Sequence, residues 1–300
     1  MRKTHLFAAL IVVLAALGLT QLHTTSAQSS APAGGFTIEQ ILSAPFASDL
    51  IAAPTGERIA WVFNIEGKRN LWFAEGPDFK ARQLTPYNED DGQELLNPSF
   101  SHDGKWIVYV RGGNVNQAGE VPNPTSDASG ALQAIFAVNV DKGTVVPVAL
   151  GNQPVVSPVD DKVVYNREGK LWLNTIGAEP KKAEPLLNAR GNLGDAQWSP
   201  DGKQLAFFSN RGDHSFICIY DLAKEQLRYV APTIDRDSAP RWSPDGKRLA
   251  FVRQPTRGTR QRGPYAEDAP DPWAIWVADA ATLQAKEVWH SGTTLNDSLP

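Results

Sequence analysis

Turn-forming residues and short apolar runs follow each other in a repeated order along the chain. The clearest copies are QWSPDGKQLAF at 197–207 and RWSPDGKRLAF at 241–251. Because Pro fixes φ, Asp forms local hydrogen bonds and Gly accepts a positive φ, the group Ser199–Gly202 predicts a tight turn. The apolar run Gln204–Phe208 is too short for a surface helix, and it predicts a strand buried on both faces.

The residues after each run predict further strands. In the fourth copy, a third strand is predicted over Ser215–Tyr220 and a weaker fourth strand over Gln226–Val230. Other copies have third strands at equivalent places, namely Asn70–Ala74, Lys170–Leu173 and Trp273–Val277. Four antiparallel strands within about forty residues are typical of a β-propeller blade. A right-handed β-helix is the competing fold, but its repeat is about half as long.

Weaker copies of the same phrase occur at 51–62, 99–110 and 155–166. The equivalent turn position advances by 48, 56, 42 and 44 residues from one copy to the next. A period in the forties is typical of repeat architectures. The turn position is occupied by Pro54, His102, Pro158, Pro200 and Pro244. We therefore predict an all-β propeller with blades near residues 45–86, 97–149, 153–188, 195–231 and 237–290.

The last residues repeat the lead into a blade. NDSLP at 296–300 resembles RDSAP at 236–240, which precedes the fifth copy of the turn. We therefore expect 291–300 to begin another blade. Propellers close with about 4–8 blades and protect their edges in this way. Residues 45–300 are thus predicted to form part of a propeller, with more blades and a further domain following.

The first 27 residues differ from the repeats and predict a secretory signal peptide. Arg2 and Lys3 give a basic start, an apolar run spans Leu6–Leu19, and small residues precede a cleavage site after Ala27. A membrane anchor is the alternative, but the run is short for a bilayer span of about 20 residues. We expect a periplasmic or secreted protein without membrane contact after cleavage, with a lead-in segment at 28–44.

The charge of the chain argues against nucleic-acid binding, and its single cysteine argues against an internal disulfide and a cysteine nucleophile. Loss of the signal peptide changes the formal charge from −4 to −6, because its only Lys or Arg residues are Arg2 and Lys3 and it has no acidic residue. A mildly acidic chain argues against a nucleic-acid partner. Cys218 is the only cysteine, so no internal disulfide can form. Its place between two isoleucines favours buried packing over a nucleophilic role.

The sequence contains no self-sufficient catalytic motif. It has no Gly-x-Ser-x-Gly, no His-Glu-x-x-His, no phosphate-binding glycine loop and no cysteine pair. We therefore expect no catalytic residues, no cofactor and no metal. The acidic stretch NEDDGQE at 88–94 could form a metal-binding or amine-binding loop, although a solvated connection is the simpler interpretation. Recurrent tryptophans indicate packing between blades rather than a ligand platform.

The repeated W-S-P-D-G-K-x-L-A-F unit resembles the TolB-like propeller repeat. The wider layout resembles the N-terminal propeller of secreted bacterial peptidases of the prolyl oligopeptidase family, which includes dipeptidyl peptidase IV and acylaminoacyl peptidase. The supporting phrases are FTIEQILSAPFASDLIAAPTGERIAWVFN, NRGDHSFICIYDL and PWAIWVADAAT, and the resemblance covers about residues 36–300. It implies an α/β-hydrolase domain after Pro300 that carries the catalytic Ser, Asp and His. No catalytic residue can therefore be assigned to this chain.

Two classes of function remain open. The first is a propeller that gates and positions oligopeptides for the hydrolase domain of an exported serine peptidase. Its partners would be the peptide substrate and that domain. The second is a periplasmic scaffold, similar to TolB, that binds proteins and has no enzymatic activity. A Gly-x-Ser-x-Gly sequence farther along the gene would favour the peptidase.

Strand order predicts which surface is functional. The tight turns join strands one and two, so the connections between strands two and three and the links between blades lie at the opposite end. The long segments 112–131 and 254–272 and the acidic stretch 88–94 all belong to that end. Such long connections are commonly functional or disordered. The predicted contacts with substrate or hydrolase domain are Glu89, Asp90, Asp91, Glu120, Arg257, Arg260 and Arg262.

Overall fold

The computed structural model describes residues 37–114, 116, 120–124, 126, 128, 130–178, 185–256, 272–294 and 297. One short helix, α1 (Ile38–Leu42), lies among them. Thr37 and Gln40 close its N-terminus with reciprocal hydrogen bonds. No helix in the described ranges has the length and hydropathy to cross a bilayer. The predicted signal peptide and most of the lead-in segment lie outside the described residues.

Nineteen strands follow in the described ranges, and consecutive strands within each blade pair antiparallel. Blades one and two contain β1 (Phe46–Ala52), β2 (Arg58–Ile65), β3 (Lys68–Glu75), β4 (Arg82–Gln83), β5 (Leu95–Phe100), β6 (Trp106–Arg111), β7 (Ala134–Asn139) and β8 (Val145–Leu150). Blades three and four contain β9 (Asn152–Val156), β10 (Lys162–Arg167), β11 (Lys170–Thr175), β12 (Asn192–Trp198), β13 (Gln204–Asn210), β14 (Ser215–Asp221) and β15 (Gln226–Tyr229). Blade five contains β16 (Arg236–Trp242), β17 (Arg248–Gln254), β18 (Ala274–Asp279) and β19 (Ala285–His290).

The predicted all-β propeller fold is confirmed. Four blades have four strands. Blade three has three described strands, since residues 179–184 lie outside the described ranges. There, Leu186 N donates to Leu171 O at 2.7 Å, as Leu84 does to Leu71 in blade one at 2.8 Å. No described sheet closes on itself.

Four hydrophobic cores lie between successive blades. The second strand of a blade supplies side chains to both of its neighbours, because alternate residues point to opposite faces. In β6, Ile107 and Tyr109 pack against blade one, whereas Val108 and Val110 pack against blade three. In β13, Leu205 and Phe207 similarly pack toward blade three. This double-sided burial explains why these strands are almost uniformly apolar.

The first strands of successive blades lie side by side. Contacts join β1 to β5, β5 to β9, β9 to β12 and β12 to β16. The tight turns that follow these strands also pack on one another, since the turn glycine Gly246 lies against Pro200 of the preceding blade. At the turn end of β1, β5 and β9 is a pocket of about 440 Å³. Its lining includes Phe100 and the turn residues Pro54, His102 and Pro158.

Candidate functional site on the loop face

The antiparallel order of strands gives the propeller two different ends. The Ser-Pro-Asp-Gly turns occupy one end, here called the turn face. The connections between strands two and three and the links between blades occupy the other end, here called the loop face. Residues 88–94, between β4 and β5, and residues 112–133, between β6 and β7, both lie on the loop face. Arg257, Arg260 and Arg262 lie outside the described residues, in the connection between β17 and β18.

The acidic segment 88–94 packs against blade one and blade two. The Asp90 carboxylate covers Gly67 in the β2–β3 turn so closely that a Cβ atom at Gly67 would lie 2.2 Å from Asp90 Cγ. Asp91 forms an ion pair with Arg111 at the end of β6. Glu89 is exposed. Asp91 is therefore engaged in an ion pair, whereas Glu89, Asp90 and Glu94 are exposed.

Arg111 lies in the interior of this junction. Its guanidinium carbon is 3.6 Å from the centroid of the Tyr87 ring, which is a close cation–π contact. The Arg111 side chain is only 14% exposed. Its Nη1 atom is buried and has no hydrogen-bond partner among the described residues. Sequence reasoning missed Arg111, although its place at the polar end of an apolar strand, in VYVRGG, is a usable signal.

Two tyrosines form the wall beneath Arg111. The hydroxyl groups of Tyr87 and Tyr109 are 2.6 Å apart. Burial raises the pKa of Tyr87, and it raises the pKa of Tyr109 far above its ordinary range. Asn70 fixes the backbone of Tyr87, because its Nδ2 donates to Tyr87 O at 2.7 Å and its Oδ1 accepts from Tyr87 N at 2.9 Å. Both phenols therefore stay protonated and rigidly placed.

Two described prolines of the long connection 112–133, Pro122 and Pro124, lie against glycines close to this junction. A Cβ atom at Gly92 would lie 2.7 Å from Pro124, and one at Gly113 would lie 3.0 Å from Pro122. These glycines therefore permit the connection to approach both sides of the Asp91–Arg111 pair. Glu120 is exposed, and its carboxylate accepts from Asn116 Nδ2 at 2.9 Å within the same connection. The structure thus brings Asp90, Asp91 and the long connection together, whereas Glu120 makes a local contact.

A second group of ionisable residues lies on the turn face, between blades two and three. Ligand atoms of His102, Asp103 and Asp161 all lie within 4.8 Å of one another. Asp103 is already engaged, since it accepts from Ser101 Oγ at 2.8 Å and pairs with Lys105 Nζ at 2.7 Å. Although burial acts in the opposite direction, these bonds hold the pKa of Asp103 well below its usual range. Lys105 therefore already offsets the charge of Asp103, and a cation at this group would compete with it.

Comparison with solved structures identifies other propellers. A prolyl endopeptidase structure has a TM-score of 0.57 at 16% identity, over 82% of this chain and 36% of that chain. A puromycin-hydrolyzing peptidase of Mycobacterium tuberculosis has a TM-score of 0.55 at 17% identity, over 82% and 40%. TolB of Acinetobacter baumannii has a TM-score of 0.48 at 16% identity, over 80% and 53%. No known family profile and no curated protein sequence matches the chain.

The chain spans little more than a third of the length of the prolyl endopeptidase that it resembles. Identities of 16–17% show a shared fold and not a shared activity. The resemblance inferred from the repeated phrase is confirmed at that level. The chain is a β-propeller of four-stranded blades, similar in fold to the propeller regions of these peptidases.

Proposed function

We propose that the chain is the propeller portion of an exported serine peptidase of the prolyl oligopeptidase family. In this role it positions oligopeptides for an α/β-hydrolase domain, and its loop face meets the substrate or that domain. The observation that carries the proposal is the convergence of the acidic segment, Arg111 and the long connection 112–133 on one end of the propeller. The likeness in fold to two peptidases supports it.

We expect the functional contacts to come from side chains of the loop face that are not already bound to other residues of the propeller. Asp91 pairs with Arg111 and Asp90 covers Gly67, so these two carboxylates shape the surface. Glu89 and Glu120 are exposed on the same face and remain available to a partner. Arg257, Arg260 and Arg262 complete the proposed contact set. Export rests on the signal-peptide pattern of residues 1–27.

The test uses the protein produced from the complete gene, with and without residues 256–268. We expect the protein to hydrolyse chromogenic prolyl or aminoacyl peptides and to be inhibited by a reagent for active-site serines. The deletion should change kcat or KM at least several-fold while the circular dichroism spectrum stays that of a folded β protein. The control is Asp141→Asn/Lys142→Gln, an exposed pair in a turn-face connection, which should leave both constants unchanged.

Two results would overturn the proposal. One is a complete gene product that hydrolyses no peptide, which would favour a binding scaffold similar to TolB. The other is unchanged kinetics after the deletion, together with unchanged dimensions in solution scattering, which would remove the loop face from the function. In either case the isolated 300-residue chain should show no peptide hydrolysis, since its sequence contains no nucleophile motif.

A further inference from the structure

Each blade packs on its neighbours through two different faces. We call the face toward the preceding blade the back face and the face toward the following blade the front face. In β6, Ile107 and Tyr109 belong to the back face, whereas Val108 and Val110 belong to the front face. Equivalent positions of strand two contribute to all four cores between the five blades. The back face of blade one and the front face of blade five take no part in these cores.

Leu50 shows that the back face of blade one is left uncovered by the described residues. It precedes the turn position of its blade by four residues and is 71% exposed. The equivalent residues of the other four blades are all buried, namely Pro98, Pro154, Ala196 and Pro240. Ile59 and Trp61 are only partly buried, whereas their counterparts in blades two to five are at most 4% exposed. Phe63 makes edge-to-face contacts with Trp61 and Trp72, so this open face is largely aromatic.

Val288 shows the same for the front face of blade five. It lies at the register shift between β18 and β19 and is 52% exposed. Val148 lies at the equivalent register shift of blade two, where it is 2% exposed and packs in the core between blades two and three. Val252 of β17 is only partly buried, whereas its counterpart Val110 in β6 is completely buried. The open front face is therefore aliphatic.

The two open faces are the two halves of one more junction between blades. In every internal junction of the described residues, the front face of one blade meets the back face of the next. Because both faces stay open within a single chain, blades one and five of that chain do not cover each other. Contiguous apolar surface of this kind is typical of a protein–protein contact.

We propose that the chain associates head to tail with a second copy of itself. The front face of blade five in one copy covers the back face of blade one in the next copy. A second copy is the occupant that the observations favour, because it presents the same pattern of side chains that the four internal junctions already use. Such a contact leaves one face free at each end of the assembly, so that further copies can add. The inference does not rest on the proposed function.

The experiment measures the mass of the chain printed above, without its predicted signal peptide, by sedimentation velocity over a range of concentrations. We expect the average mass to rise with concentration beyond that of a dimer. Leu50→Glu and Val288→Glu each bring an unpaired charge into the contact, and we expect each to weaken association by about tenfold or more. The matched control is Ile234→Glu, which makes the same kind of change at a residue that is 78% exposed in the link between blades four and five. It should associate as the wild type does.

A mixture of the two variants tests which faces meet. Leu50→Glu keeps its front face intact and Val288→Glu keeps its back face intact, so an equimolar mixture should form a dimer of one copy of each and nothing larger. Circular dichroism of each variant shows whether it is folded, and since both side chains are already exposed we expect no change.

Four results would overturn the inference. They are a wild-type chain that stays monomeric at every concentration, a mixture of the two variants that stays monomeric, a single variant that associates as strongly as the wild type, and an equal loss of association in Ile234→Glu. None of them bears on the proposed function, because that proposal is tested by peptide hydrolysis with the complete gene product. Further blades in a longer gene product would compete for the same two faces, which is why the association is measured on the 300-residue chain.

Discussion

At the scale of single residues, the first strand of every blade contains one residue in the left-handed region of backbone space. The five φ values lie between 49° and 54°. Each residue falls at a register shift between strands one and two, which marks a β-bulge. Each also precedes the turn position by five residues. The five residues are Asp49, Asn97, Gln153, Asp195 and Ala239.

Ala239 is the least suited of these residues to its backbone conformation. Asn and Asp adopt the left-handed region with a smaller penalty than Ala does. We predict that Ala239→Asn raises the free energy of unfolding by about 0.5–1 kcal/mol. The reciprocal substitution Asn97→Ala should lower it by a similar amount. Urea denaturation of both variants tests this, and a less stable Ala239→Asn variant would contradict it.

At the scale of the element, the tight turns of blades two, four and five are stabilised by the same side-chain hydrogen bonds. Ser199 Oγ donates to Asp201 Oδ1 at 2.7 Å and accepts from Gln204 N at 2.9 Å. Ser243 and Asp245 repeat the first contact at 2.5 Å. The hydrogen bond from the serine is the main reason that the pKa values of Asp201 and Asp245 lie below their ordinary range. The ionised carboxylate is therefore the form that fits the folded turn.

Stability should accordingly depend on pH through these turns. A carboxylate whose pKa is lowered by folding stabilises the protein above the ordinary Asp pKa of about 3.9, and the effect is lost as the pH falls through the folded value. We predict that the free energy of unfolding falls between pH 5 and pH 3, and that Asp201→Asn reduces this dependence. Asp78→Asn, in an exposed connection, is the control. An unchanged pH profile in Asp201→Asn would refute the role of the turn.

At the scale of the whole molecule, tryptophans of the repeated phrase join one blade to the next. Trp198 Nε1 donates to Val155 O of blade three at 3.0 Å, and Trp242 Nε1 donates to Gln197 O of blade four at 3.2 Å. Both acceptors precede the turn position of their own blade by three residues. The indole thus adds a directional contact to the apolar cores between blades. The tryptophan of the repeated phrase W-S-P-D-G is therefore a contact between neighbouring blades.

Loss of this contact should weaken the packing of blade four on blade three. We predict that Trp198→Phe lowers the free energy of unfolding by about 1–3 kcal/mol, because Val155 O loses its donor and a cavity forms. Hydrogen exchange should increase in β9 and β12 more than in β5. Trp106→Phe is the control, since its indole N–H makes no hydrogen bond among the described residues. Equal effects of the two substitutions would count against a specific indole contact.

The repeated phrase was sufficient to predict the blades because its information is local. A Ser-Pro-Asp-Gly turn, the apolar strand after it and the next strand all lie within about forty residues, and the period repeats that order. The predicted fourth-blade strands Gln204–Phe208, Ser215–Tyr220 and Gln226–Val230 are observed as β13, β14 and β15. The grouping of the acidic and long segments on one face also followed from strand direction alone.

The sequence by itself determined the fold class, the blade period and the face on which the long connections lie, because turn chemistry and strand alternation act between near neighbours. Only the tertiary structure decided which polar residues are internal. Asp91 and Arg111 are twenty residues apart, and their pairing over Tyr87 depends on how blade two packs against blade one. The left-handed bulges and the tryptophan contacts between blades were likewise not predicted. They depend on geometry between strands, which residue spacing alone does not encode.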